Sequence, residues 1–172
     1  MDADFTLLYQ KYKNQIFSYL YYLSGDKAVA EELSQDVFLK VYLNIGKFQG
    51  RSSFKTWIYT IARNAYFDLA KSGQKIQWEP LDSLENTARL PLNQPRGPEE
   101  SALNTETKEM IARTLDSLSP SYRNLIVLRD ILHLSYKEIS HITGQELNSI
   151  KVSIYRARRE FRKIYNGLEG NQ

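Results

Sequence analysis

Arg51-Ser52-Ser53-Phe54-Lys55-Thr56-Trp57-Ile58-Tyr59-Thr60-Ile61-Ala62-Arg63-Asn64-Ala65-Tyr66-Phe67-Asp68-Leu69-Ala70 is the stretch on which the reading of this chain turns. Its apolar residues Phe54, Trp57, Ile58, Ile61, Ala62, Ala65 and Leu69 recur at three- and four-residue steps, which makes them the buried stripe of an amphipathic helix. The opposite face is unusual. Tyr59, Arg63, Asn64, Tyr66, Phe67 and Asp68 place rings, a cation, an amide and a carboxylate where a plain surface helix carries Glu and Lys. Rings stack on unpaired bases, a guanidinium holds phosphate and short polar groups read base edges, so this face suits a single-stranded nucleic acid. A well-packed core helix with a few exposed rings accounts for the same residues, and the segment alone leaves both readings open.

Upstream, Phe5, Leu8, Tyr9, Tyr12, Ile16, Tyr19, Leu20 and Leu23 keep helical spacing, and Ser24-Gly25-Asp26 ends that helix and offers Asp26 as cap of the next. The second helix is predicted from about Lys27 to Ile45, with Ala30, Leu33, Val37, Val41 and Ile45 inward and Gly46 as its stop. Gln35, Asp36, Phe38, Leu39 and Tyr42 lie off that stripe and form a face suited to a partner helix or to packing within the same domain. Lys47 to Ser53 reads as a loop in which Ser52 or Ser53 caps the helix quoted first, and that helix stops near Ser72-Gly73.

Periodicity then disappears. Four of the five prolines (Pro80, Pro91, Pro95 and Pro98) fall between Gln74 and Glu100 among Asn, Gln, Ser and acidic residues, the composition of a linker. Helical spacing returns with Met110, Ile111, Leu115 and Leu118. Ser119-Pro120 then opens another helix through Tyr122, Leu125, Ile126, Arg129 and Leu132. Ser135-Tyr136-Lys137-Glu138 fits a capping box, Thr143-Gly144 breaks the short helix it starts, and a basic helix follows with Leu147, Ile150, Ile154, Ala157 and Phe161 on one face. A short capped helix, a glycine turn and a longer basic helix make a helix-turn-helix, with small Ser140 where the two helices cross. The fold class is therefore all-α: two small helical domains joined by a flexible linker, the second a helix-turn-helix.

Charge supports two contact points on a polyanion. The net charge of +3 at pH 7 is mild, but it divides into −1 over residues 1–50, +4 over 51–76, −4 over 77–120 and +4 over 121–172. Two basic blocks thus flank an acidic middle that stays off the polyanion. Cysteine is absent, which excludes a disulfide framework and thiol chemistry and suits a reducing cytoplasm. No apolar run is long enough to span a bilayer and the first residues do not read as an export signal. His133 and His141, eight apart, sit in no ligand motif, and neither a phosphate-binding glycine loop nor a nucleophile motif occurs. An enzyme, a metal site and a cofactor are therefore not expected. A dimeric helix-turn-helix regulator explains the C-terminal residues equally well but leaves the aromatic and basic block at Arg51–Ala70 without a purpose.

Three stretches together resemble bacterial RNA polymerase sigma factors of the extracytoplasmic-function group. They are Ala30-Glu31-Glu32-Leu33-Ser34-Gln35-Asp36-Val37-Phe38-Leu39-Lys40, then Phe48 through Asp68, then Leu134 through Arg158. The resemblance implies domains at 1–73 and 102–172 joined by a linker at 74–101. It implies that Gln35, Asp36, Phe38, Leu39 and Tyr42 bind the β′ clamp of core polymerase, while the second domain docks on the β flap. Single-stranded DNA of the −10 element is then met by Gly50, Arg51, Ser52, Ser53, Phe54, Trp57, Tyr59, Arg63, Asn64, Phe67 and Asp68. Duplex −35 DNA is met by Asn148, Ser149, Lys151, Val152, Tyr155, Arg156, Arg158 and Arg159. It further implies a cytoplasmic protein, monomeric when free, held in check by an anti-sigma factor that is often membrane-anchored. The reading helix departs from the family's usual pattern at Glu146, Asn148-Ser149 and Lys151-Val152-Ser153, so an altered −35 preference is expected.

Overall fold

The computed structural model describes residues 2–72 and 105–170, and every regular element among them is helical. The expected linker at 74–101 lies outside the described residues. The N-terminal unit consists of α1 (Asp2–Ser24), α2 (Lys27–Asn44), a 3-10 turn (Ile45–Lys47) and α3 (Phe54–Lys71). The C-terminal unit consists of α4 (Thr105–Ser117), α5 (Pro120–Ile126), a π-helical turn (Val127–Ile131), α6 (Tyr136–Thr143) and α7 (Leu147–Glu169).

Local chemistry sets most of these boundaries. The Asp26 carboxylate accepts the Val29 N–H at 2.9 Å, and Ser53, not Ser52, caps α3 by accepting the Thr56 N–H at 3.1 Å. Ser119 accepts the Tyr122 N–H, with Pro120 at the first helical position where a missing N–H costs nothing. The Ser135–Glu138 capping box forms in both directions, at 3.1 and 2.7 Å. Gly144 ends α6 at φ 71°, a conformation glycine adopts without strain. One expectation changes. The helix read through Leu132 widens after Ile126 into the π turn, where the Leu132 N–H reaches the Val127 carbonyl, and the Leu134 N–H then bonds the Leu128 carbonyl.

In the N-terminal unit, Tyr12, Ile16, Tyr19, Leu20 and Leu23 of α1 meet Ala30, Leu33, Val37 and Val41 of α2 and Ile58, Ala62 and Ala65 of α3, all buried. Large apolar side chains from three helices close one core, and truncating any of the leucines costs about 2–5 kcal/mol. The same apolar cluster continues into the second unit through Leu125, Val127, Leu128, Leu134, Ile139 and Ile142.

The two units therefore pack on each other, and polar contacts fix how. The Tyr19 hydroxyl donates to Asn124 Oδ1 at 2.7 Å in a buried contact. Arg123, 1% exposed, donates from Nη1 to the Leu23 carbonyl at 3.0 Å and pairs with Asp116 at 3.3 Å. Burial pushes the Arg123 pKa down and that of Asp116 up, and each opposite charge partly restores its neighbour. At the other end of the contact, Lys55 of α3 pairs with Glu138 of α6 at 3.6 Å.

Candidate nucleic-acid interface

The helix α3 carries one open stripe. Trp57 and Ile61 are half-buried and Asn64 and Asp68 exposed, at helical steps of four, three and four. This stripe faces the end of α2. Lys40, Asn44 and Lys47 join Trp57, Ile61 and Asn64 around an open hollow of about 390 Å³. Two ammonium groups, two amides and an indole around one depression are the groups that hold a phosphate, read a base edge and stack on a base. The indole is held by its neighbours. Phe48 lies 5.0 Å and Phe54 5.5 Å from Trp57 between ring centroids, and Tyr12 supports Phe54 at 5.5 Å. A platform braced on its far side loses little freedom when a base stacks on it. Arg63 stands 4.6 Å over the Phe67 ring and touches Asn64 Oδ1 at 3.4 Å, so its guanidinium is oriented from below. In the preceding loop, Gly50 and Arg51 are exposed, and Gly50 has φ 65°, which a residue with a Cβ adopts only under strain.

Two rings expected on the outer face are elsewhere. Tyr59 is 2% and Tyr66 1% exposed. Tyr59 packs edge-on against Tyr19 at 5.2 Å and lies within electrostatic reach of Glu138, while Tyr66 lies within reach of Arg123 and Asp116. Burial raises both phenol pKa values. The second unit covers this side of α3, so Tyr59 is a packing residue in this arrangement and not an open DNA contact.

On α2, Gln35, Asp36, Leu39 and Tyr42 are exposed, whereas Phe38 is buried edge-on against Tyr9 at 4.8 Å. Phe38 therefore supports the face from beneath instead of forming it. Leu43, 65% exposed, joins Leu39 and Tyr42 on the surface. Its four-residue step from Leu39 is the signal in the sequence that could have added it to this face.

The helix-turn-helix forms as read. Ser140 Oγ donates to the Gln145 carbonyl across the turn, and Thr143 Oγ1 donates to the Ile139 carbonyl. Glu146 starts α7 with no side-chain cap, so this helix end keeps N–H groups for water or an anion. Asn148, Ser149, Lys151, Val152, Tyr155, Arg156 and Arg159 are all exposed. Arg158 differs. Its guanidinium grips Asp130 through two hydrogen bonds, the Nε one at 3.1 Å, and these bonds raise its pKa despite some burial. It ties α7 to the π turn, a role visible only once the chain places residue 130 beside residue 158.

Known proteins carry the same two blocks. Residues 8–76 match the family model described as sigma-70 region 2, and residues 108–161 match that of sigma-70 region 4. The chain is 30% identical over 156 residues to RNA polymerase sigma factor YlaC of Bacillus subtilis, covering 91% of this chain and 88% of that one. It is also 30% identical to ECF RNA polymerase sigma factor SigM of the same organism, covering 92% and 93%. Its fold is that of the sigma factor RpoE from Bartonella quintana, crystallised with the anti-sigma factor NepR, at a TM-score of 0.71, with 24% identity and coverage of 95% and 97%. Two matched regions in order, and relatives similar over nearly their full length, show that this chain belongs to the extracytoplasmic-function group of the sigma-70 family of RNA polymerase sigma factors.

Proposed function

We propose that this sigma factor directs core RNA polymerase to its promoters by seating α7 in the −35 major groove and holding unpaired −10 bases at the α2–α3 hollow. The observation that carries this reading is the pair of separate open faces, one braced and aromatic, the other exposed and basic. Trp57 offers the stacking surface, Asn64 and Asp68 the polar groups for a base edge, and Arg51 and Arg63 the phosphate contacts. Extruding a base costs a few kcal/mol and stacking returns about 1–3 kcal/mol per base, so promoter sequence decides whether the strand stays open. On α7, Asn148, Ser149, Lys151, Val152 and Tyr155 meet base edges, and Arg156 and Arg159 meet phosphates.

Gln35, Asp36, Leu39, Tyr42 and Leu43 form the surface for the β′ clamp, and the second domain meets the β flap. The domains at 1–73 and 102–172, with the linker at 74–101, divide this work, which is non-enzymatic and belongs to the cytoplasm. The described helices contain none long and apolar enough to cross a membrane. Because a structural relative was crystallised with an anti-sigma factor, an anti-sigma factor is the expected regulator here too.

Run-off transcription with sigma-free core polymerase on fragmented DNA of the source organism tests the reading. Discrete new start sites that depend on this chain support it; binding to duplex DNA as a dimer, with no association with polymerase, overturns it.

A further inference from the structure

Large apolar side chains left exposed among the described residues fall into two groups. One lies on α1 and α2, where Leu39 and Tyr42 belong to the surface assigned to the β′ clamp. The other lies in the first half of α7 and consists of Leu147 at 42%, Val152 at 49% and Tyr155 at 67% exposure. Helix propensity does not explain Val152, because valine is a weaker helix former than the alanine, lysine or arginine that suits an exposed position.

The register of α7 aims two of these side chains the same way. Asn148, Val152, Tyr155 and Arg159 follow one another at steps of four, three and four, and all are exposed. Ile150, Ile154, Ala157 and Phe161 repeat those steps on the opposite side, where they enter the apolar clusters. The stripe carrying Val152 therefore points directly away from the protein. Exposed Lys151 and Arg156 border it. Cations beside an apolar strip fit a duplex: the cations meet phosphates, which carry no sequence information, and the strip meets base edges in the major groove. The apolar group exposed there is the C5 methyl of thymine. β-branching holds the valine methyls in one preferred rotamer on a helix, so little freedom is lost when they meet it. The Tyr155 ring, three residues on, widens the same surface.

We infer that Val152, with Tyr155 beside it, is a specificity-determining residue that selects thymine in the −35 element through its C5 methyl group. The inference rests on the sigma-factor reading above and gives its −35 face a base preference. A polar side chain at this position is satisfied by any base edge that offers a hydrogen bond, whereas the isopropyl group gains only from a methyl. Against cytosine it loses twice, since there is no methyl to cover and an amino group is stripped of water with no acceptor in return.

Holoenzyme assembled from this chain and core polymerase, on a promoter fragment identified by run-off mapping, tests the contact. Each thymine of the −35 element is replaced in turn by deoxyuridine, which keeps every polar group and lacks only the C5 methyl. One such replacement is expected to weaken binding about fourfold, the weight of one carbon taken out of water. In Val152→Ala holoenzyme the same replacement is expected to cost less than about twofold. The salt dependence of that variant is expected to match the parent's, because no phosphate contact is lost. Val152 is exposed and alanine is the better helix former, so the variant is expected to fold. A −35 element without thymine, or equal binding of thymine and deoxyuridine at every position, overturns the methyl contact and leaves the sigma reading intact. Discrimination that is unchanged in Val152→Ala overturns the assignment to Val152. An absence of start sites that depend on the parent chain overturns the sigma reading, and this inference with it.

Discussion

The two faces assigned to DNA are both helical, yet they are built on opposite principles. The α3 face depends on what lies beneath it: Phe48, Phe54 and Tyr12 hold Trp57, and the Phe67 ring holds Arg63. The α7 face depends on what is left free above it, with Lys151, Arg156 and Arg159 exposed while Arg158, tied to Asp130, serves the fold. An unpaired base is gripped by its flat face, which requires a rigid ring; a duplex is gripped first by its charge, which requires mobile cations. Perturbing the two faces should therefore give different signatures.

The largest effect is expected for Trp57→Ala. Loss of one stacking platform, at about 1–3 kcal/mol per base, should weaken binding of a single-stranded −10 oligonucleotide by roughly 10–100-fold and leave −35 duplex binding unchanged. An equal loss on both DNAs, with lowered helicity, would mean that the indole is part of the core and the contrast between the faces is false. Next is Gly50→Ala. Open space surrounds the position, so any cost comes from φ alone, about 1–2 kcal/mol, read as a lowered denaturation midpoint together with weaker −10 binding.

A smaller effect separates the cations of α7. Lys151→Ala should reduce the salt dependence of −35 binding by about one phosphate contact, whereas Asp130→Asn should raise it by about one as the Arg158 guanidinium is released. If Asp130→Asn changes nothing, Arg158 already reaches DNA and the assignment of that arginine to the fold is wrong.

The smallest effect is one of pH. Burial raises the Glu138 pKa, but the N–H and hydroxyl of Ser135 and the Lys55 ammonium outweigh it, and the carboxyl sits below its ordinary range. A lowered folded pKa gives stability that is complete above the unfolded value near 4.3–4.5 and is lost as pH falls through the folded value. Acid titration should therefore release the start of α6 and its contact with Lys55 only as the pH falls below the ordinary carboxylate range. Glu138→Gln should flatten that part of the stability profile.

The π turn after Ile126 was not legible in the residues; most helix starts and stops, the capping box, the glycine turn and, Arg158 apart, the exposed basic positions of α7 were. They are decided within a turn or two of the chain, by which side chain can reach which backbone N–H. The stripe of α3 was legible only in part: Ile58, Ala62 and Ala65 are buried as expected, but Trp57 and Ile61 line the open hollow, and Tyr59 and Tyr66 of the other side are buried. Tyr59 and Tyr66 share the amphipathic profile of exposed rings, and periodicity within one helix cannot tell solvent from a second helical unit far along the chain. Phe38 was misplaced for the same reason, since Tyr9 of another helix covers it.

By itself, then, the sequence determined seven helices, their order and a helix-turn-helix, which follow from short-range spacing and capping, while the family came from the resemblance carried by three stretches of residues. Only the tertiary structure decided that the two units dock, that Arg158 belongs to Asp130, and that Tyr19 meets Asn124. Those pairings join residues 28 and 105 positions apart. They depend on the path of the folded chain, which brings together side chains whose local surroundings carry no sign of one another.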